Sequence, residues 1–170
     1  MYTNNGVAIQ WTTDWVVYGS VHSAAYRSAY RGLMDDHYLN QCTVEQRELY
    51  YRSIAADGKG AILSVSGQAA GCLAIGYAQD PNLMDGRKVG EIDAFYLLPE
   101  YRGSGYGKQL LAWALDRFNE QNCKCAMLWV LERNTTAIAF YERCGFERDG
   151  ASRAIERGGR YGQIRMMMEL

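Results

Sequence analysis

The sequence predicts a mixed α/β fold, a largely antiparallel sheet of six to seven strands flanked by about four helices. Three observations carry this expectation. Short apolar runs of strand-like composition alternate with segments of helical periodicity. Three such runs follow one another with no helical segment between them, which predicts an antiparallel meander. A strand, a glycine-rich turn, a helix and another strand then follow in order, which predicts a crossover with parallel pairing.

The elements are read in chain order. "VAIQWTT", Val7 to Thr13, reads as the first strand. In "SVHSAAYRSAYRGL" the positions Val21, Ala24, Ala25, Ser28 and Ala29 have helical spacing, and Gly32 supplies the stop. "TVEQRELYYRSIAA" opens on Thr43 with Gln46 three residues on, a capping-box pattern. "GAILSVS" and "AAGCLAIGYA", separated by Gly67 and Gln68, predict a hairpin, and "KVGEIDAFYLL" is the third run of the meander. Leu110, Leu111, Ala114, Leu115 and Phe118 then recur at helical spacing. "CAMLWVL" reads as a buried strand, "NTTAIAFYERCG" as a capped helix ending at Gly145, and "RYGQIRMMMEL" as a closing strand. Pro99 stands where its strand must end.

Composition narrows the function. The chain of 170 residues is 48% hydrophobic and 22% charged, which suits one domain, residues 1–170, with a sizeable core. A net charge of −1, from 18 basic and 19 acidic side chains, offers no overall field for nucleic acid or an anionic membrane. No apolar run is long enough for a membrane span. The expected partner is a small molecule, and a homodimer is compatible with such a chain. Five cysteines, with no signal segment before Gly6, favour a reducing cytoplasm. Cys123 and Cys125 stand too close for the usual zinc spacing, and His22 and His37 lie far upstream, so no metal is expected.

The chemistry centres on "YLLPEYRGSGYGKQLLAWAL", Tyr96 to Leu115. Glycines beside regular structure are entropically costly. At a helix N-terminus they leave N–H groups and the positive end of the helix dipole open to an anion, so the segment reads as a phosphate cradle, with a tight turn into a packed helix as the plain alternative. Lys108 followed by Gln109 excludes a P-loop. Gly103, Gly105 and Gly107 read GxGxG rather than the GxGxxG of dinucleotide sites.

Arg102, Gly105 and Gly107 do fit the pattern Q/R-x-x-G-x-G/A. In this the chain resembles the GNAT superfamily of N-acetyltransferases, whose signature loop cradles the pyrophosphate of acetyl coenzyme A. "LWVLERNTTAIAFYERCGF" is similar to that family's second signature, and "HSAAYRSAYRGLMDDHYL" to the first helical region of many members.

The resemblance implies direct transfer of an acetyl group from acetyl-CoA to a primary amine, without an acyl-enzyme. It implies main-chain contacts from Leu97 and Leu98 to the acetyl and pantetheine part, and a pyrophosphate surrounded by Arg102, Gly103, Ser104, Gly105, Tyr106, Gly107 and Lys108. Asn134 would bond the pantetheine arm, a role compatible with capping the next helix. Tyr141, matching the family's tyrosine at the coenzyme sulfur, would be the general acid.

Glu91 and Asp93 are the candidate bases, because strand alternation puts both on one face of the strand leading to the loop. Solvated acids near a strand start are the plain alternative. For the acceptor, the family's layout brings forward Tyr26, Tyr30, Asp35, Asp36 and Trp129. Aromatic faces and carboxylates suit a cationic amine, although Tyr26 and Tyr30 also read as a structural stripe on one helix face. A small-molecule amine is the leading acceptor. A protein or peptide amine, or a non-catalytic acyl-CoA-binding regulatory module, are the alternatives.

Overall fold

The computed structural model describes residues 2–4, 6–54, 60–79 and 87–170. Among them eight strands form a single sheet in the order β1-β2-β3-β4-β5-β6-β8-β7. The strands are β1 (Tyr2–Asn4), β2 (Val7–Trp11), β3 (Gly60–Val65), β4 (Gln68–Tyr77), β5 (Val89–Leu97), β6 (Cys125–Leu131), β7 (Glu147–Glu156) and β8 (Arg160–Glu169). The helices are α1 (Trp15–Tyr30), α2 (Asp36–Asn40), α3 (Val44–Ile54), α4 (Tyr106–Glu120) and α5 (Thr135–Arg143).

Pairing is antiparallel except between β5 and β6, which run parallel across the crossover through α4. The meander and the parallel crossover are therefore as the pattern predicts. The elements it missed have little apolar signal. β1 has three residues and α2 five. β7, "ERDGASRAIE", is a mostly exposed edge strand without apolar alternation. α1 starts at Trp15, earlier than its apolar spacing suggested, because the Asp14 carboxylate caps it by accepting from Val17 N–H at 3.0 Å. Thr43 caps α3 as expected, its hydroxyl accepting from Gln46 N–H at 3.3 Å. The expected end of that helix at Ala55 and Ala56 lies outside the described residues.

Two layers of helices cover the sheet. α4 and α5 bury Leu110, Leu111, Ala114, Phe118, Ile138 and Tyr141 against Leu73, Ile75, Ile92, Leu128 and Val130 on one face. α1 and α3 bury Tyr18, Val21 and Tyr51 against Ile62, Cys72, Ala74 and Ala94 on the other. Within the second layer His22 stacks between Tyr18 and Tyr26, and desolvation, with help from the nearby Arg47 and Arg157, pulls its pKa down to about 3. It is therefore a neutral packing residue at physiological pH.

The layers touch the sheet closely at Gly90, where a Cβ would lie 2.4 Å from the Phe118 ring. Phe118 is 1% exposed and has nowhere to retreat. Gly90→Ala is expected to lower stability by about 2 kcal/mol through this overlap, read as a lower urea midpoint with an unchanged m-value.

Candidate active site

The site originates in a strand irregularity. Ala74 pairs with Ala94 but Ile75 pairs with Ile92, so Asp93 is an extra residue in β5, a β-bulge. On the other edge of β5 the parallel ladder with β6 ends at Ile92 and Leu128, although both strands continue beyond it. The strands splay from that point. Leu98 N–H donates back to Ala70 on β4 at 2.9 Å, so strand alternation turns the main-chain groups of Phe95 and Leu97 toward the opened gap.

The gap forms the floor of a cavity of about 840 Å³. Its walls bring together Asp93, Phe95, Tyr96 and Leu97 from β5, Trp129 from β6, Tyr30 from α1, Tyr141 from α5, and Gly103, Gly105 and Lys108 from the glycine loop. Of the expected site residues, Tyr30, Asp93, Leu97, Arg102, Gly103, Gly105, Gly107, Lys108, Trp129, Asn134 and Tyr141 line this single space.

The glycine loop is shaped by backbone geometry. Gly103 and Gly105 have φ of 80° and 85°, with nothing within 4 Å of where a Cβ would stand. Gly105 is the N-cap of α4, so the first-turn N–H groups of that helix open onto the cavity side. Gly107 instead meets Phe140 of α5, 3.3 Å from a hypothetical Cβ. Arg102 turns back from the loop, donating from Nε to Leu97 O at 3.0 Å and from Nη1 and Nη2 to Ser28 Oγ and Ala25 O on α1 at 3.3 and 3.4 Å. It fastens the loop between α1 and β5.

Tyr141 is 7% exposed among Phe95, Phe140 and Phe146. Burial pushes its hydroxyl pKa up, with Tyr30 and Cys144 adding to the effect, so it carries its proton throughout the neutral range. Asn134 caps α5, its side-chain oxygen accepting from Ala137 N–H at 3.2 Å. Asp93 is exposed at the bulge, and Glu91 is half-buried two residues earlier. Desolvation first, then the Asp93 charge, raise the Glu91 pKa to about 7 against the opposing pull of Arg153.

Several expected contacts fall elsewhere. Glu91, Leu98, Ser104 and Tyr106 are not on the cavity wall, and the Leu98 N–H is committed to β4. Tyr26 is 1% exposed in the core, its hydroxyl accepting from Arg157 Nη1 at 3.1 Å. Asp35 caps α2, accepting from Tyr38 N–H at 2.8 Å. Sequence reasoning missed Thr136, Phe140 and Arg143, which join Ala137 and Tyr141 on the cavity side of α5; the helical spacing of Thr136, Phe140 and Arg143 is the signal that could have found them. Among the described residues no group of three or more His, Cys, Asp or Glu side chains could hold a metal ion, and no helix is long and apolar enough to cross a membrane.

A model of the acetyltransferase (GNAT) family matches residues 23–146. The chain belongs to the GNAT family of acetyltransferases. It is 35% identical over 121 residues to an uncharacterised N-acetyltransferase of Archaeoglobus fulgidus, covering 68% of this chain and 78% of that protein. The crystal structure of the PaiA N-acetyltransferase from Thermoplasma acidophilum in complex with coenzyme A shares its fold with a TM-score of 0.74, at 17% identity over 96% of this chain and 99% of the other. The ribosomal-protein-alanine N-acetyltransferase of Brucella melitensis has a TM-score of 0.71 at 19% identity, over 96% and 99% of the two chains.

The open backbone of a GNAT glycine loop sets a direct test. Gly105→Val forces a β-branched residue into positive φ and fills the space above the α4 N–H groups, so coenzyme A affinity should fall by roughly 2 kcal/mol, about thirtyfold, or more. Calorimetry on the folded variant reads this, and unchanged affinity would leave the glycine a turn residue only.

Proposed function

We propose that the protein transfers an acetyl group from acetyl-CoA directly to a primary amine of a small molecule. The observation carrying this reading is that the splayed β5–β6 edge, the exposed α4 N-terminus and Tyr141 share one cavity. A ligand with amide groups suits the open strand edge, where the Phe95 main-chain groups and the Leu97 N–H face the gap while Arg102 holds the Leu97 carbonyl. A pyrophosphate suits the glycine loop, and the Lys108 and Arg143 side chains, both on the wall, add positive charge beside it.

The residues then divide the chemistry. The amine nitrogen bonds to the thioester carbon while the carbon–sulfur bond breaks. Tyr141 donates its proton to the departing thiolate, which its raised pKa allows at neutral pH. The amine proton passes to the Asp93–Glu91 pair. Asp93 reaches the cavity, and Glu91, poised near 7, is the member able to accept and release a proton in the neutral range.

Free thiol release across an amine library tests turnover and acceptor together; release that never exceeds coenzyme hydrolysis would instead support an acyl-CoA-binding module. With an accepted amine, Tyr141→Phe should retain coenzyme affinity and lower kcat about 100-fold, near the lower end for a general acid because a thiolate leaves readily. A parent rate in a chemistry-limited assay would remove the assignment.

Glu91 predicts a pH signature. Its ionised form accumulates as pH rises through about 7, so the parent kcat/KM should climb through that region and level off. Glu91→Gln should be slowest relative to the parent at neutral pH and recover toward pH 9–10, where free amine no longer needs a base, because alkyl amines have a pKa of about 10. An unchanged neutral-pH rate would pass the role to Asp93 or a water chain.

A further inference from the structure

α4 covers one face of the sheet beside the gap, and the second substrate is assigned to the other. One side of that face is closed by a seam between α1–α2 and the β7–β8 hairpin. There Arg157 Nη1 donates to the Tyr26 hydroxyl at 3.1 Å, and Asp35 N–H donates to the Tyr161 hydroxyl at 2.8 Å. Tyr26, Met34, Leu39 and Leu131 pack together along the seam. Away from that seam, Asp93 and Trp129 stand on the cavity wall.

Two guanidinium groups flank the Trp129 ring, Arg153 at 4.2 Å and Arg165 at 5.6 Å from its centroid. Their surroundings differ. Arg165 Nε donates to the Asp149 carboxylate at 2.6 Å, an ion pair whose members are 13% and 23% exposed, so its charge is compensated. Arg153 Nε donates to the neutral side-chain oxygen of Gln163 at 2.8 Å, and its two terminal nitrogens have no acceptor among the described residues. Gln163 and the Trp129 ring hold the fork in place, which reduces the entropy lost when it binds an anion. Glu91 and Asp93 lie close enough for each to act on the Arg153 charge.

Beside the Trp129 wall of the cavity therefore stand the Asp93 carboxylate and one preorganised guanidinium, Arg153, which has no ion-pair contact among the described residues. We propose that the acceptor is a small amine that also carries a carboxylate close to its nitrogen, a free amino acid being the simplest member, and that Arg153 binds that carboxylate while the ammonium faces Asp93. Arg153 is thus a specificity-determining residue. This inference rests on the acetyltransferase reading for its catalytic test, but its binding test stands independently.

The test pairs free amino acids with their carboxamides, which keep the amine and remove the negative charge, alongside tripeptides beginning with the same residue. Thiol release measures kcat/KM, and equilibrium dialysis against the coenzyme A-saturated protein measures acceptor binding without turnover. The free acid should exceed its amide by about tenfold or more in both measurements, the effect of a charge-assisted hydrogen-bonded pair. Arg153→Gln should bring that ratio near one, mainly through KM; Arg153→Lys should restore part of it, and Arg165→Gln should keep it.

Selective, Arg153-dependent binding without turnover of any amine would uphold the inference while removing the catalytic reading. Turnover with no preference for the acid, a preference that survives Arg153→Gln, or tripeptides outpacing the free acids would overturn it and leave the acetyltransferase standing. Neither selective binding nor turnover would overturn both.

Discussion

The bulge at Asp93 is the constraint on which the site depends. One extra residue in β5 shifts its register against β4, and the parallel ladder to β6 ends beside it, at Ile92 and Leu128. Unpaired main-chain groups in the middle of a sheet are costly unless something else takes their hydrogen bonds. The remaining half of β5 thus offers an edge inside the protein rather than at its rim. The bulge on one edge of β5 and the end of the ladder on the other thus coincide where the gap opens.

The glycine loop and the helix layers are arranged around that edge. Arg102 occupies the Leu97 carbonyl and reaches across to Ser28 and Ala25, so one side chain ties the loop, the end of β5 and α1 together. Asn134 starts α5 so that Phe140 packs against Gly107 while Tyr141 turns into the cavity. On the opposite face the buried aromatic stack of Tyr18, His22 and Tyr26 supplies a rigid backing for Tyr30 and Tyr96, whose hydroxyls meet at 3.2 Å on the cavity wall. Much of the polarity in this half of the molecule is thus structural rather than reactive.

Electrostatics at the gap follows from the same layout. Glu91 is half-buried and beside a second carboxylate, so its proton is retained to near neutrality. Tyr141, enclosed by phenylalanines, keeps its proton far above that range. One group can thus take a proton and the other give one at the same pH, a difference created by environment.

What the sequence determined by itself was local. Apolar periodicity identified six strands and four helices, the glycine spacing and the Tyr141 segment identified the family, and Thr43 marked a helix start that the structure retains. Elements without that signal, notably β7, needed the neighbouring β8 to define them as strands. Tyr26 and Asp35 looked like acceptor contacts because residue type alone does not reveal which partners a side chain already has. Tyr26 is taken by Arg157 and Asp35 by the α2 cap. The splay, the cavity and the unequal surroundings of Arg153 and Arg165 were decided only by tertiary structure. Each depends on pairings between residues far apart in the chain, Ile92 with Leu128 and Arg165 with Asp149 among them, and a one-residue shift of register has no counterpart in local composition.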